Sequence, residues 1–168
     1  MEKIFFNGTP VNTYSDIPIA GKKAPDFNLV GKDLNEIKLS DFKGKRIILN
    51  VFPSLDTSVC AASVRRFNQE VAKFKDTVVL CVSMDLPFAM SRFCTAEGID
   101  GVIPASAFRS PQFGKDYGLT MVDGSLAGLL ARAVLIIDEN QDITYSNIVD
   151  EITNEPDYNG AFHALTNK

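Results

Sequence analysis

The residues best suited to chemistry lie where a predicted strand ends and a predicted helix begins, between Pro53 and Cys60. The apolar and largely β-branched run over residues 46–52 indicates a strand that is buried on both faces. From Cys60 to Phe74, apolar residues recur at steps of four and three, the spacing of one buried helical stripe. Because active sites of open α/β sheets lie at the carboxyl ends of strands, this junction is the predicted functional site.

Cys60 is the strongest candidate for a nucleophile because of its place in the predicted helix. With Thr57 as the N-cap, Cys60 stands three residues further on, where a capping box would place a carboxylate. Free backbone amides and the positive end of the helix dipole would stabilise a thiolate there relative to the thiol. Periodicity alone leaves a second interpretation open, in which Cys60 is only the first residue of the buried stripe.

A second candidate is Arg132, the single charged residue in the apolar run over residues 129–137. Burying a guanidinium without an anionic partner is costly, so Arg132 must reach solvent or face a negative group. A thiolate could be that group. A surface carboxylate at a strand edge is the alternative, and the residues alone do not choose between them.

The two other cysteines lie in different settings. Cys94 lies on the apolar face of a predicted helix over residues 86–97, roughly 12 Å along the helix axis from its first residue. By itself it would be a core thiol. A disulfide tolerates Cα separations of only about 4.4 to 6.8 Å, so a bond from Cys94 to Cys60 would require one or both helices to unwind locally. Cys81, inside the predicted strand over residues 77–83, is expected to be inert packing.

Several common catalytic sites are excluded by their missing motifs. Gly-Lys pairs are never followed by Ser or Thr, and no G-x-G-x-x-G is present, so neither a Walker loop nor a dinucleotide fingerprint exists. Cys60 lacks a partner cysteine three residues on, which excludes a C-x-x-C dithiol site. The one histidine, His163, lies far from every cysteine in sequence, so metal binding and a Cys-His nucleophile pair are unsupported.

Composition limits the setting and the partners. The 168 residues, with net charge −4, are predicted to form one domain over 1–168 whose core needs no disulfide framework or structural metal. Scattered basic residues give no nucleic-acid footprint, and no stretch approaches the ~18 apolar residues of a membrane-spanning helix. Three cysteines and no recognisable export signal predict a reducing, cytoplasmic compartment.

The remaining segments predict the elements that position these residues. Asn7-Gly8 between short apolar runs predicts an N-terminal β-hairpin. Asp85 is the expected N-cap of the second helix, with Pro87 in its first turn and Gly98 at its end. Alternation of strands and helices predicts an α/β fold with a sheet that is parallel in part. Besides those named above, strands are predicted over residues 27–30, 37–39, 101–107, 133–137 and 143–148, and helices over residues 109–117 and 157–165.

Taken together, these residues resemble the thiol peroxidase family of peroxiredoxins, the atypical two-cysteine type. The resemblance covers nearly the whole chain and rests on the pattern P-x-x-x-T-x-x-C, formed by Pro53, Thr57 and Cys60, and further on Cys94 and Arg132. It implies a thioredoxin-like fold, with a central mixed β-sheet flanked by helices and the N-terminal hairpin as an extension.

The resemblance also implies roles for these residues in reducing hydrogen peroxide and organic hydroperoxides. Cys60 would attack the peroxide and become a sulfenic acid, Cys94 would condense with it to an intrachain disulfide, and a thioredoxin-type protein would reduce that disulfide. Thr57 would position thiolate and peroxide, Pro53 would shield the sulfur, and Arg132 would polarise the O–O bond. The family needs no metal, flavin or nicotinamide and is typically homodimeric.

Two other functions remain open from the residues alone. The same oxidation could serve a peroxide-sensing switch or a binding module that alters a partner. A thioredoxin-like fold with no redox role is the third possibility.

Overall fold

The computed structural model describes residues 1–166 and contains two β-sheets. The smaller sheet is a hairpin of β1 (Lys3–Phe6) and β2 (Thr9–Asn12). The larger sheet has seven strands: β3 (Asn28–Gly31), β4 (Glu36–Lys38), β5 (Arg46–Val51), β6 (Thr77–Ser83), β7 (Ile103–Ser106), β8 (Ala133–Ile137) and β9 (Ile143–Ile148).

Helices connect and cover the strands of the larger sheet. They are α1 (Ser58–Glu70), α2 (Pro87–Glu97), α3 (Pro111–Asp116) and α4 (Tyr158–Thr166), with short 3₁₀ turns at Leu39–Phe42 and Val71–Lys73. The first long helix therefore ends at Glu70, and its predicted continuation to Phe74 is a tighter turn. The third helix is shorter than the predicted span of residues 109–117.

The larger sheet is mixed, as predicted. Its strand order is β4-β3-β7-β6-β5-β8-β9, with β5, β6 and β7 parallel to one another and the other pairings antiparallel. The pairing of β5 with β8 aligns Val51 with Ala133. The chain that leaves β5 therefore begins beside the residue that precedes β8, which is Arg132.

Apolar side chains pack on both faces of this sheet. Along β5, Ile47 and Leu49 belong to one buried cluster and Ile48 to the other, as the alternation of side chains along a strand requires. The cluster around Ile48 is covered by α1, α2 and α4 and includes all three cysteines. The cysteines of this protein thus share one apolar layer.

The predicted hairpin is confirmed, and its turn follows the expected chemistry. Asn7 and Gly8 have φ of 51° and 79°, the left-handed backbone that a tight hairpin turn requires. Gly98, with φ of 63°, ends α2 as predicted.

The predicted capping role of Asp85 is wrong. Leu86 occupies the N-cap position of α2, and no side chain accepts a hydrogen bond there. The Asp85 carboxylate instead accepts hydrogen bonds from the Ser54 and Ser83 hydroxyls, at 2.8 and 2.6 Å, and from the Leu55 amide at 2.8 Å. These three donors converge from two strand ends and outcompete the helix terminus for the carboxylate.

Candidate active site

Cys60 lies in the first turn of α1, where the sequence predicted it. Thr57 is the N-cap, with extended backbone angles of −103° and 143°, and Cys60 follows three residues later with its side chain fully buried. The Thr57 hydroxyl does not cap the helix, because it donates to the carbonyl of Ser54 at 3.0 Å. Backbone geometry therefore begins the helix at Thr57 without a side-chain cap.

Arg132 is buried and contacts the Cys60 sulfur. Its Nη2 lies 3.2 Å from Cys60 Sγ, and its Nε donates to the carbonyl of Ile152 at 2.9 Å. Only 2% of the Arg132 surface is exposed, so solvent does not compensate its charge. Of the two partners considered from sequence, the geometry favours the sulfur, since a thiolate is the anion that a buried guanidinium needs.

The third guanidinium nitrogen is unpartnered. Arg132 Nη1 is buried and has no hydrogen-bond partner among the described residues. An orphaned buried donor costs free energy unless something binds it. A polar molecule that entered beside the sulfur could accept this hydrogen bond.

A cavity of about 310 Å³ adjoins this pair and has predominantly apolar walls. Arg132, Thr57 and Pro53 line it, together with Phe6, Val59, Leu126, Leu129 and Ile152. Pro53 is buried at the end of β5, whereas Thr57 is exposed. A larger cavity, of about 530 Å³, lies beside α3 and is not lined by Arg132. The 310 Å³ cavity is therefore the one that Arg132 connects to the buried Cys60 sulfur.

The Asp85 carboxylate holds the segment between β5 and α1 in place. Through the hydrogen bonds to Ser54 and Leu55, its carboxylate ties the segment to the end of β6. Sequence reasoning missed this role because Asp85 was assigned to the following helix. The available signal was a carboxylate directly after a buried strand, at the same sheet edge as the candidate nucleophile.

A second group that sequence reasoning missed is a buried polar link beneath Cys60. The Ser63 hydroxyl donates to the Cys60 carbonyl at 2.8 Å, and the Asn50 amide nitrogen donates to that hydroxyl at 3.2 Å. Asn50 lies in β5, so this link fastens the first turn of α1 to the sheet. A polar residue inside the buried strand was its only sequence signal.

The other two cysteines are buried thiols. Cys94 lies in α2, apart from the cavity wall, and in the described chain it forms no disulfide. Burial raises the pKa of the Cys94 thiol above its ordinary value. Burial also raises the pKa of Cys81 to about 12, which keeps that thiol protonated and unreactive at neutral pH.

Residues that could hold a metal are not clustered in the described chain. Within residues 1–166, no three His, Cys, Asp or Glu side chains are grouped for metal binding, and His163 lies in α4. Over the same residues, no helix is long and apolar enough to span a membrane.

Comparison with known proteins places this chain in a family. The Redoxin family model matches residues 19–162. The thiol peroxidases of Corynebacterium glutamicum and Mycobacterium tuberculosis are each 50% identical to it over 165 residues, which cover 98% of this chain and 99% of each relative.

Solved structures share the fold. A peroxiredoxin-like protein from Aquifex aeolicus superposes with a TM-score of 0.93 at 37% identity, covering 99% of this chain and 96% of that one. Thiol peroxidase from Chromobacterium violaceum, at 19% identity, matches in fold with a TM-score of 0.88, covering 98% and 95% of the two chains. The predicted thioredoxin-like α/β fold with its N-terminal hairpin is thereby confirmed, and the chain belongs to the Redoxin family and, within it, to the thiol peroxidases.

Proposed function

We propose that this chain reduces hydrogen peroxide and organic hydroperoxides through a Cys60 sulfenic acid and a Cys60–Cys94 disulfide. The observation that carries the proposal is the buried contact of Arg132 Nη2 with Cys60 Sγ, at 3.2 Å, beside an apolar cavity that Arg132 lines. A guanidinium that already binds the sulfur and has one donor free is arranged for a peroxide to join it.

In the first step the Cys60 thiolate attacks the terminal peroxide oxygen. A sulfur–oxygen bond forms, the O–O bond breaks, and the departing oxygen takes a proton from solvent to leave as water or an alcohol. Arg132 Nη1 donates to the peroxide and stabilises the charge that develops on the departing oxygen. The Thr57 hydroxyl, which uses its proton on Ser54, can accept the peroxide O–H, and buried Pro53 limits access of water to the sulfur.

In the second step the Cys94 thiol attacks the Cys60 sulfenic acid. The S–S bond forms while the sulfenic hydroxyl leaves as water with the Cys94 proton. Because both cysteines are buried in separate helices, this step requires local unwinding of α1, α2 or both. The ion pairs Arg65–Glu97 and Arg92–Asp56, each at 3.3 Å, are exposed, and such pairs oppose opening by roughly 0 to 1 kcal/mol.

A thioredoxin-type dithiol protein then reduces the disulfide by thiol exchange and restores both thiols. Such a reductant operates in a reducing compartment, so the predicted cytoplasmic setting belongs to the same proposal. The apolar walls contributed by Phe6, Leu126 and Leu129 support organic hydroperoxides as substrates alongside hydrogen peroxide.

Exposed apolar side chains support the predicted homodimer. Phe88, Leu86 and Phe108 are 67%, 51% and 40% exposed. Their two segments are joined by hydrogen bonds: the Ser106 hydroxyl donates to the Asp85 carbonyl, and the Ala107 amide donates to the Ser83 carbonyl. An apolar patch of this kind is typical of a protein interface.

The dimer is tested by sedimentation equilibrium of the wild type and of Phe88→Glu. We expect the wild type to be dimeric and the variant to dissociate, because a buried unpaired carboxylate is costly. Ile19→Glu, at a comparably exposed apolar side chain away from the patch, should leave the dimer intact. A dimer that survives Phe88→Glu contradicts this interface.

The cysteine roles are tested by the mass of the protein after treatment with peroxide and an alkylating agent. The oxidised wild type should have the mass of a single chain, with Cys60 joined to Cys94 by a disulfide. Cys60→Ser should lose turnover, and Cys94→Ser should accumulate a sulfenic acid that a specific probe traps while turnover with thioredoxin stops.

The matched control is Cys81→Ala, which should keep the full cycle because the buried Cys81 thiol takes no part in it. Turnover in Cys60→Ser, or a disulfide that maps to Cys81, contradicts the proposal. Rapid oxidation that thioredoxin cannot reverse supports the peroxide-sensing switch instead.

Arg132 is tested by Arg132→Lys and the rate of Cys60 oxidation in a single turnover. A lysine keeps the charge but cannot donate from a planar fork to sulfur, Ile152 carbonyl and peroxide together, so we expect the second-order rate to fall about 10²-fold. Arg109→Lys, at the rim of the larger cavity, is the matched control and should retain the wild-type rate. A rate for Arg132→Lys equal to that of the wild type contradicts the assigned role.

A further inference from the structure

The segment that follows β9 is joined to the N-terminal hairpin by backbone hydrogen bonds. The Phe5 amide donates to the Asp150 carbonyl at 2.7 Å, and the Ile152 amide donates to the Phe5 carbonyl at 2.9 Å. Phe5 and Glu151 form an isolated parallel bridge. Strand β1 and residues 149–153 therefore form one backbone unit.

The Glu151 side chain fastens this unit at the hairpin turn. Its two carboxylate oxygens accept the amides of Asn7 and Gly8, each at 3.0 Å, and it also accepts the Thr153 amide at 3.3 Å and hydroxyl at 3.0 Å. The positive φ angles of Asn7 and Gly8 bring both of their amides to one carboxylate. These hydrogen bonds, that of Gly8 first, hold the pKa of Glu151 below its ordinary value, so the carboxylate is ionised at neutral pH.

The same unit holds Arg132 in place. The carbonyl of Ile152 accepts Arg132 Nε at 2.9 Å, and the Val149 amide donates to the Arg132 carbonyl at 2.9 Å. Among the described residues, the Ile152 carbonyl is the one protein oxygen that the guanidinium binds. The position of the remaining two nitrogens, of which Nη2 contacts the sulfur and Nη1 is unpartnered, therefore depends on where Ile152 lies.

The unit also forms one wall of the cavity. Phe6, at the end of β1, lines it together with Ile152 and Thr153. Displacement of the hairpin would therefore change both the anchor of the guanidinium and the apolar surface that faces a substrate.

We propose that Glu151 is a positioning residue for peroxide reduction, which acts through the hairpin turn to fix Ile152 and thereby Arg132. The N-terminal hairpin is on this view part of the active site. The proposal rests on the proposed function, since it assigns a role in the same reaction. Its physical basis is that misplacing a catalytic group by about 1 Å can cost up to 10²-fold in rate.

The first test compares Glu151→Ala and Glu151→Gln with Glu36→Gln. Glu36, on β4, also accepts a side-chain hydrogen bond, at 3.1 Å from Asn28, but lies away from the cavity. Single-turnover oxidation of Cys60 by hydrogen peroxide should slow about tenfold in Glu151→Ala, because the anchor of Arg132 loosens. Glu151→Gln keeps one carbonyl oxygen and should slow less, and Glu36→Gln should retain the wild-type rate.

The second measurement uses cumene hydroperoxide, an apolar substrate. Because Phe6 and Ile152 form part of the wall, Glu151→Ala should lose more rate with cumene hydroperoxide than with hydrogen peroxide. Amide hydrogen exchange should quicken locally at Asn7, Gly8 and Ile152, and not in β5 or β6. A general loss of stability would instead quicken exchange throughout the sheet.

The third measurement separates positioning from stability. In an Arg132→Lys background, Glu151→Ala should cause no further loss of the hydrogen peroxide rate, since the group through which it acts is already altered. An equal loss in both backgrounds overturns the proposal, as does an unchanged rate in Glu151→Ala. If Glu151→Ala does not fold, Glu151→Gln carries the same comparisons with smaller effects.

These outcomes distinguish a failure of the proposed function from a failure of the role proposed for Glu151. A wild-type protein whose Cys60 does not react with peroxide overturns the proposed function and this inference with it. A reactive wild type with fully active Glu151 variants overturns this inference alone.

Discussion

A buried guanidinium and a buried sulfur in contact are the pair on which the rest of this structure depends. Neither Arg132 nor an ionised Cys60 is tolerable alone in an apolar layer, and at 3.2 Å each offsets the cost of the other. The sheet brings them together, because Val51 pairs with Ala133 at the ends of β5 and β8. Arg132 directly precedes Ala133, and the segment that leads to Cys60 leaves the sheet at Val51. The peroxide reduction proposed for Cys60 requires this contact.

In the proposed cycle, the first turn of α1 is held in place while Cys60 reacts with peroxide and must open for the Cys60–Cys94 disulfide to form. Asp85 fastens the segment before α1, and the Ser63 hydroxyl fastens its first turn through the Cys60 carbonyl. Cys94, in contrast, lies in α2, which is joined at the surface to α1 by the ion pair Arg65–Glu97 and to the segment before α1 by Arg92–Asp56, and such exposed pairs are weak. Hydrogen bonds therefore restrain the segment that holds Cys60, whereas the surface ion pairs add little resistance to the opening that the proposed disulfide requires.

Local patterns predicted most of the fold, because periodicity and turn chemistry depend on residues that are close in sequence. The Asn7-Gly8 turn and the apolar strand β5 were predicted at their observed places, and the Cys60 position at the helix start was predicted from spacing. The polar contacts between residues far apart in sequence were not predicted. Asp85 looked like a helix cap, and nothing near Glu151 in sequence indicates that its carboxylate binds a turn at Asn7 and Gly8, because such contacts have no period.

The proposed function requires that Arg132 stabilise the Cys60 sulfur as a thiolate, and the ultraviolet absorbance of thiolates at neutral pH tests this requirement most directly. Reduced wild-type protein should show the absorbance of one thiolate, and Cys60→Ser and Arg132→Met should each lack it. The buried thiols of Cys81 and Cys94 should contribute none, since burial raises the pKa of both. Equal absorbance in wild type and Cys60→Ser would contradict the account.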